Sequence, residues 1–244
     1  MSFLPPDQIH ELMRFAFFAD TEARSDLANG FTKDENDYTS NFTSALRRNI
    51  NSYSQTGLSA TSFLLSHIEE REFGGDATII LSRGNESKVA ILEAKWPRFS
   101  SAGHQWDYNQ TATGLSHFSD QLERQKRWSG TCAIFEMFYC EYPFGEQPAF
   151  LDKRGSSCVW HEDAEKFRAH RTNPSSIWSQ GELQNLIENS GTNVPAVMFQ
   201  FGECSKGQVI RMAQPEAIGR EFGLPPRILA IAAALEREPR ETRE

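Results

Sequence analysis

Three charged residues punctuate two apolar runs in the first half of the chain. Asp76 stands at the mouth of Ala77-Thr78-Ile79-Ile80-Leu81, and Glu93 and Lys95 close the run Val89-Ala90-Ile91-Leu92. β-Branched runs around a Gly-Asn pair read as a β-hairpin turning within Arg83–Lys88. Side chains alternate across a strand, which puts Val89, Ile91, Glu93 and Lys95 on one face and Ala90, Leu92, Ala94 and Trp96 on the other. In an antiparallel hairpin the start of the first strand lies beside the end of the second, so Asp76 should meet Glu93 at the open end. Two carboxylates there repel each other, and a hard divalent cation bound through oxygen relieves the repulsion. The expectation is a Mg²⁺ (or Mn²⁺) site held by Asp76 and Glu93, with the Ala94 carbonyl as a further oxygen. Lys95 beside it could position or help deprotonate a water, or stabilise charge developing on a phosphate.

The blander readings use the same residues. Glu93 and Lys95 could be a surface ion pair at a solvated strand end, which is worth little. Asp76 could be a turn residue after Gly74-Gly75.

The elements around the hairpin follow from periodicity. Ile9, Leu12, Met13, Phe15, Ala16 and Phe17 predict a helix over Asp7–Ala28, stopped at Asn29-Gly30. A second helix starts near Asp34-Glu35-Asn36-Asp37, whose acids suit a helix N-terminus, and runs through Tyr38, Phe42, Ala45, Leu46 and Ile50. Residues 51–62 read as a connection, and Phe63–Ile68 as a short helical or extended segment. After the hairpin come a loop over 97–109, a helix over Thr111–Trp128 and a strand over Thr131–Tyr139. Residues 143–193 give mixed signals with a short helix at Gly181–Glu188, Val194–Phe201 reads as a strand, and Gln214–Glu236 as a helical tail interrupted by Pro225-Pro226. This order implies an α/β fold, a central mixed sheet flanked by helices. The chain divides into an N-terminal helical segment (1–30), a core (31–142) and a C-terminal extension (143–244) that completes or decorates the same domain.

Composition narrows the class. With 244 residues, 39% hydrophobic and 24% charged, the chain has enough apolar content for a sizeable core. The net charge of −8 argues against a surface that embraces nucleic acid everywhere, although a local basic groove remains open. Cys132, Cys140, Cys158 and Cys204 lack C-x-x-C spacing and read as buried reduced thiols. No secretory signal and no apolar run of spanning length stands out, so no membrane and a cytoplasmic location are expected.

Asp76, sixteen intervening residues, then Glu93-Ala94-Lys95 at a strand end resembles the PD-(D/E)xK nucleases, the restriction-endonuclease-like superfamily. The resemblance covers roughly residues 30–140 and departs at Gly75, where the motif's name has proline. It implies a restriction-endonuclease-like core and a metal-dependent nuclease acting on nucleic acid, DNA first, with a role in bacterial defence against phage or foreign DNA. It also implies a further acid from the preceding helix, Glu35 with Asp37 as competitor, and a polar residue from the following helix, Gln121. The catalytic set would then be Asp76, Glu93, Lys95, Glu35 and Gln121, with Asp76, Glu93 and Glu35 on the metal. Arg124, Lys126 and Arg127 are the first candidates for phosphate contacts. His104 and His117 could offer a general base, while Trp96, Trp106 and Trp128 read as core or groove-lining aromatics. The acidic balance suggests that affinity comes from a homo-oligomer or a partner subunit. The reading from another class is a catalytically inactive binding or assembly module on the same fold.

Overall fold

The structure, a computed structural model, describes residues 2–64, 75–101, 106–110, 114–225 and 227–234. Two long helices open it, α1 (Pro6–Ala28) and α2 (Glu35–Tyr53). Pro6 suits the first helical turn of α1, where its missing N–H costs nothing. The Asp34 side chain caps α2 by accepting from Asp37 N at 2.9 Å. On α1, Ile9, Leu12, Phe15, Ala16, Ala19, Ala23 and Leu27 form a buried stripe at helical spacing.

Strand β1 (Leu58–Leu64) follows, then the hairpin β2 (Ala77–Arg83) and β3 (Glu86–Lys95). Gly84, at φ 60°, opens the turn between the paired Arg83 and Glu86, a conformation that glycine adopts without strain. Next come α3 (His117–Ser129), β4 (Ala133–Phe138), β5 (Ser157–Trp160), α4 (His161–His170), α5 (Gln180–Ser190), the short β6 (Thr192–Asn193), α6 (Val194–Gly202), α7 (Pro215–Glu221) and β7 (Arg227–Ala233). The seven strands lie in the order β1-β7-β2-β3-β4-β5-β6. Pairing is parallel for β7/β2 and β3/β4 and antiparallel elsewhere, so the sheet is mixed.

Helices cover both faces. Leu12, Phe15, Phe42, Leu46, Met198 and Phe201, from α1, α2 and α6, pack on Ile79, Leu81, Leu92 and Phe135. On the opposite face, Phe118 and Leu122 of α3 meet Phe138 and Val159, while Trp128 and Ile218 meet Ile80, Val89 and Ile91. Strands buried on both sides read as near-continuous apolar runs, which is why the hairpin was so legible.

Four sequence expectations change. Leu58–Leu64 is an edge strand, whereas residues 51–62 read as a connection; its alternating burial is confined to Leu58 and Ala60 and gives little signal. The predicted helix over Thr111–Trp128 begins at His117, where the Ser116 side chain accepts from Ser119 N. Val194–Phe201 is helical, not extended: Pro195 sits in the first turn, Asn193 Oδ1 accepts from Ala196 N, and Val194, Val197, Met198 and Phe201 are buried at helical spacing. Arg227–Ala233 is a strand rather than the second half of a helical tail, because Ile228, Leu229 and Ile231 fill the slot between β1 and β2. Residues past 142 therefore supply β5, β6 and β7 of the same sheet.

Candidate functional site

The register of β2 and β3 brings Asp76, one residue before β2, opposite Glu93. Asp76 is pinned to β3 twice: its N–H donates to Leu92 O at 2.8 Å, and its Oδ2 accepts from Ala94 N at 2.8 Å. Glu93 and Lys95 share a face and are 3% and 4% exposed, so they are not a solvated strand end. Lys95 Nζ lies 2.5 Å from Glu93 Oε1. Gln121, on the buried side of α3, donates its Nε2 to the same oxygen, while its own Oε1 has no hydrogen-bond partner among the described residues.

Glu35 arrives from the first turn of α2, on the other side of the sheet, where its Oε1 accepts from Trp96 N at 2.9 Å. Asp37 does not compete for this place, because its carboxylate accepts from Lys33 N at the helix start. Asp76, Glu93, Lys95, Glu35 and Gln121 are thus gathered around the ends of β2 and β3.

Charge is concentrated here. Burial, and then the neighbouring Glu93 carboxylate, push the Asp76 pKa well above the usual range. Burial raises Glu35 as well, with Lys95 offsetting part of the effect. For Lys95, burial opposes the charge, but Glu93, Glu35 and Asp76 outweigh it and raise its pKa. Lys95 is therefore an ammonium in this arrangement, suited to orienting water or offsetting negative charge rather than to accepting a proton.

A fourth acid went unnoticed in the sequence. Glu136 pairs with Glu93 in the parallel register of β3 and β4 and is fully buried. Burial, then the Glu93 charge, raise its pKa well above normal, with the Lys95 charge and then a Gln125 hydrogen bond offsetting part of this. The available signal was a charge inside the apolar run Ile134-Phe135-Glu136-Met137. Tyr139 also borders the site: it stacks on Tyr38 with centroids 3.8 Å apart, and its buried hydroxyl has no hydrogen-bond partner among the described residues.

The basic cluster on α3 is largely engaged elsewhere. Arg124 pairs with Asp120 at 3.1 Å, Lys126 with Glu123 at 2.6 Å and Glu165 at 3.1 Å, and Arg127 lies 4.0 Å over the Trp128 ring. Trp106 packs edge-on against Phe118, Phe138 and Trp178, Trp128 Nε1 donates to Phe222 O, and Trp96 Nε1 donates to Glu141 Oε2 at 3.0 Å. All four cysteines are free, and burial pushes the Cys132 thiol up to about 12.

His104 lies outside the described residues. His117 stacks on Tyr108, and burial, then the Lys95 charge, push its pKa down to about 4. A depressed histidine pKa favours the neutral ring in the folded state. The stability it confers is present above the unfolded value near 6.5 and is lost as pH falls toward 4. His117→Gln should therefore flatten the loss of Tm between those pH values, measured by thermal melts against pH; a wild-type slope in the variant would reject this.

Close packing requires glycine at position 75. A Cβ there would lie 2.5 Å from Ile91 Cγ2 and 3.2 Å from Pro225 Cγ, so the β3 side chain of Ile91, with Pro225 behind it, leaves no room for a side chain. Gly75→Ala should cost about 1–3 kcal/mol by overpacking. Chemical denaturation reads this, and an unchanged midpoint would show that the space exists.

Among the described residues, no three His, Cys, Asp or Glu side chains converge on a ready-made metal cage. The donor chemistry nevertheless fits a hard divalent cation: two facing carboxylates and the orphaned amide oxygen of Gln121 offer only oxygen. Among the described residues, no helix is long and apolar enough to cross a membrane. Comparison with family models, with curated proteins and with solved structures finds no match to this chain.

Proposed function

We propose that this chain is a Mg²⁺-dependent nuclease that hydrolyses phosphodiester bonds in DNA and is built on a restriction-endonuclease-like core. The observation that carries the reading is the facing pair Asp76 and Glu93 at the ends of β2 and β3, with Lys95 on the same face as Glu93. Asp76 and Glu93 would hold the cation, with Glu35 completing the set from α2. A bound divalent cation would polarise a phosphoryl oxygen and acidify a water. Gln121 steadies the Glu93 carboxylate, and the backbone N–H of Ala94 fixes the Asp76 carboxylate. The Lys95 ammonium orients the attacking water and offsets charge growing on the phosphate. A place in bacterial defence against foreign DNA, in the cytoplasm, belongs to the same proposal.

One observation favours an inactive assembly module instead. The Glu93 carboxylate is already neutralised by Lys95 and held by Gln121, which a purely structural ion pair would also show. Divalent metal separates the two. A metal-binding site gains about 2.7 kcal/mol at a hundredfold excess of Mg²⁺ or Mn²⁺ over Kd, a Tm rise of roughly 5–10 °C at this chain length. Incubation with linear DNA, circular DNA and RNA, with and without Mg²⁺, then tests cleavage. No thermal shift and no cleavage would end the nuclease reading.

A further inference from the structure

Arg98 stands three residues beyond Lys95, in the turn that leaves β3. Its φ of 52° lies in the left-handed region, which a side chain tolerates only when its surroundings impose it. The turn is closed by Ser101 N donating to Arg98 O at 3.1 Å. The guanidinium lies 4.3 Å over the Trp96 ring, and that ring is itself anchored, its Nε1 to Glu141 and its backbone N–H to Glu35. The strained backbone therefore mounts a cation on a rigid aromatic plate bonded to the candidate site.

Arg98 is exposed, and among the described residues no carboxylate pairs with it at ion-pair distance. It is nonetheless close enough for its charge to act on Glu35 and Tyr139. A guanidinium carried over an indole ring still has N–H donors to offer, and their fork matches two oxygens of a phosphate.

We propose that Arg98, held over the Trp96 ring, is the backbone-phosphate contact of this site, gripping a DNA phosphate beside the one presented to Asp76 and Glu93. The inference rests on the nuclease reading and goes beyond it, because it names the cation that anchors the substrate. It replaces the basic cluster on α3, whose Arg124 and Lys126 have acidic partners. The contact is to phosphate, so it carries no sequence preference.

The test is the salt dependence of binding. Affinity of the full chain for a fluorescent DNA duplex is followed by anisotropy between about 50 and about 200 mM salt, a range over which phosphate contacts dominate the change. Loss of one phosphate contact lowers the slope of log K against log salt by about 1, uniformly across DNA sequences. Arg98→Gln should show that loss. Arg98→Gly should show it too while holding or raising Tm, since glycine relieves the φ strain. Arg48→Gln, which removes an exposed charge paired with Glu22 on the helical layer, should leave the slope unchanged. Equal slopes for wild type, Arg98→Gln and Arg98→Gly overturn the inference while leaving the nuclease reading intact. A wild-type protein that neither binds nor cleaves DNA, with or without Mg²⁺, overturns both.

Discussion

Asp76→Asn is expected to lower metal-dependent DNA cleavage by about a hundred- to a thousandfold, the scale of losing one preorganised charge-stabilising group at a reacting centre. The substitution keeps the shape of the side chain, and an amide oxygen can still accept from Ala94 N as Asp76 Oδ2 does. What it removes is an anionic donor facing Glu93. The fold should not suffer, and the pH dependence says why. Burial and the Glu93 charge raise the Asp76 pKa, so the folded protein without metal holds that proton more tightly than the unfolded chain. The favourable contribution is complete at acid pH and is lost as pH climbs above the ordinary carboxylate range. Asparagine has no such loss, so at neutral pH the metal-free variant should melt at or above the wild-type temperature while no longer gaining stability from Mg²⁺. Lys95→Ala should fall in activity comparably but leave Glu93 buried without its counter-ion, so it should also lose stability. Cleavage assays paired with melts, with and without Mg²⁺, separate these outcomes. Wild-type cleavage by Asp76→Asn would remove the site assignment.

The largest effect on stability should come from Asp20→Ala, far from any chemistry. Asp20 is 1% exposed in α1, and its carboxylate accepts from Ser156 N and Ser156 Oγ, both at 2.6 Å, and from Tyr38 Oη at 2.9 Å. Arg24, one turn later and equally buried, donates to Gly155 O at 2.8 Å and Tyr142 O at 3.1 Å. Together they bolt both long helices to the segment entering β5. Alanine would strand a buried backbone N–H and leave the Arg24 charge without its nearby anion, a loss of about 3–5 kcal/mol. At this chain length that is a Tm drop of roughly 6–20 °C. Asp20→Asn, which keeps an acceptor, should lose clearly less. Denaturation midpoints for the two variants decide it; a cost under about 1 kcal/mol for alanine would mean that water replaces the network. Tyr38 joins this bolt to the site, because its ring stacks on Tyr139.

The hairpin and the two long helices were legible because burial on both faces leaves β2 and β3 almost wholly apolar, while the α1 and α2 patterns repeat at helical spacing over many turns. Weaker elements were misread where local preference and tertiary demand diverged. Val194-Pro195-Ala196-Val197 has strand-like composition, yet Asn193 and Pro195 begin a helix there. Ile228–Ala233 follows a proline pair and carries three alanines, which suits a helix until a slot between β1 and β2 claims it. At the site, the side-by-side placement of Asp76, Glu93 and Lys95 followed from strand alternation and hairpin register alone. Glu136 and Arg98 did not: the first becomes part of the acid cluster only through the β3/β4 pairing, and the second only through its stacking on Trp96.

The sequence by itself determined that an α/β chain would carry two acids and a lysine to the open end of a buried hairpin, since period-two alternation and antiparallel register are local rules. Tertiary structure alone decided which cations have carboxylate partners, which acids lie against one another and which carboxylates are desolvated. Those properties depend on contacts between residues distant in the chain, and burial and neighbouring charge set the chemistry of an ionisable group more strongly than its own type does.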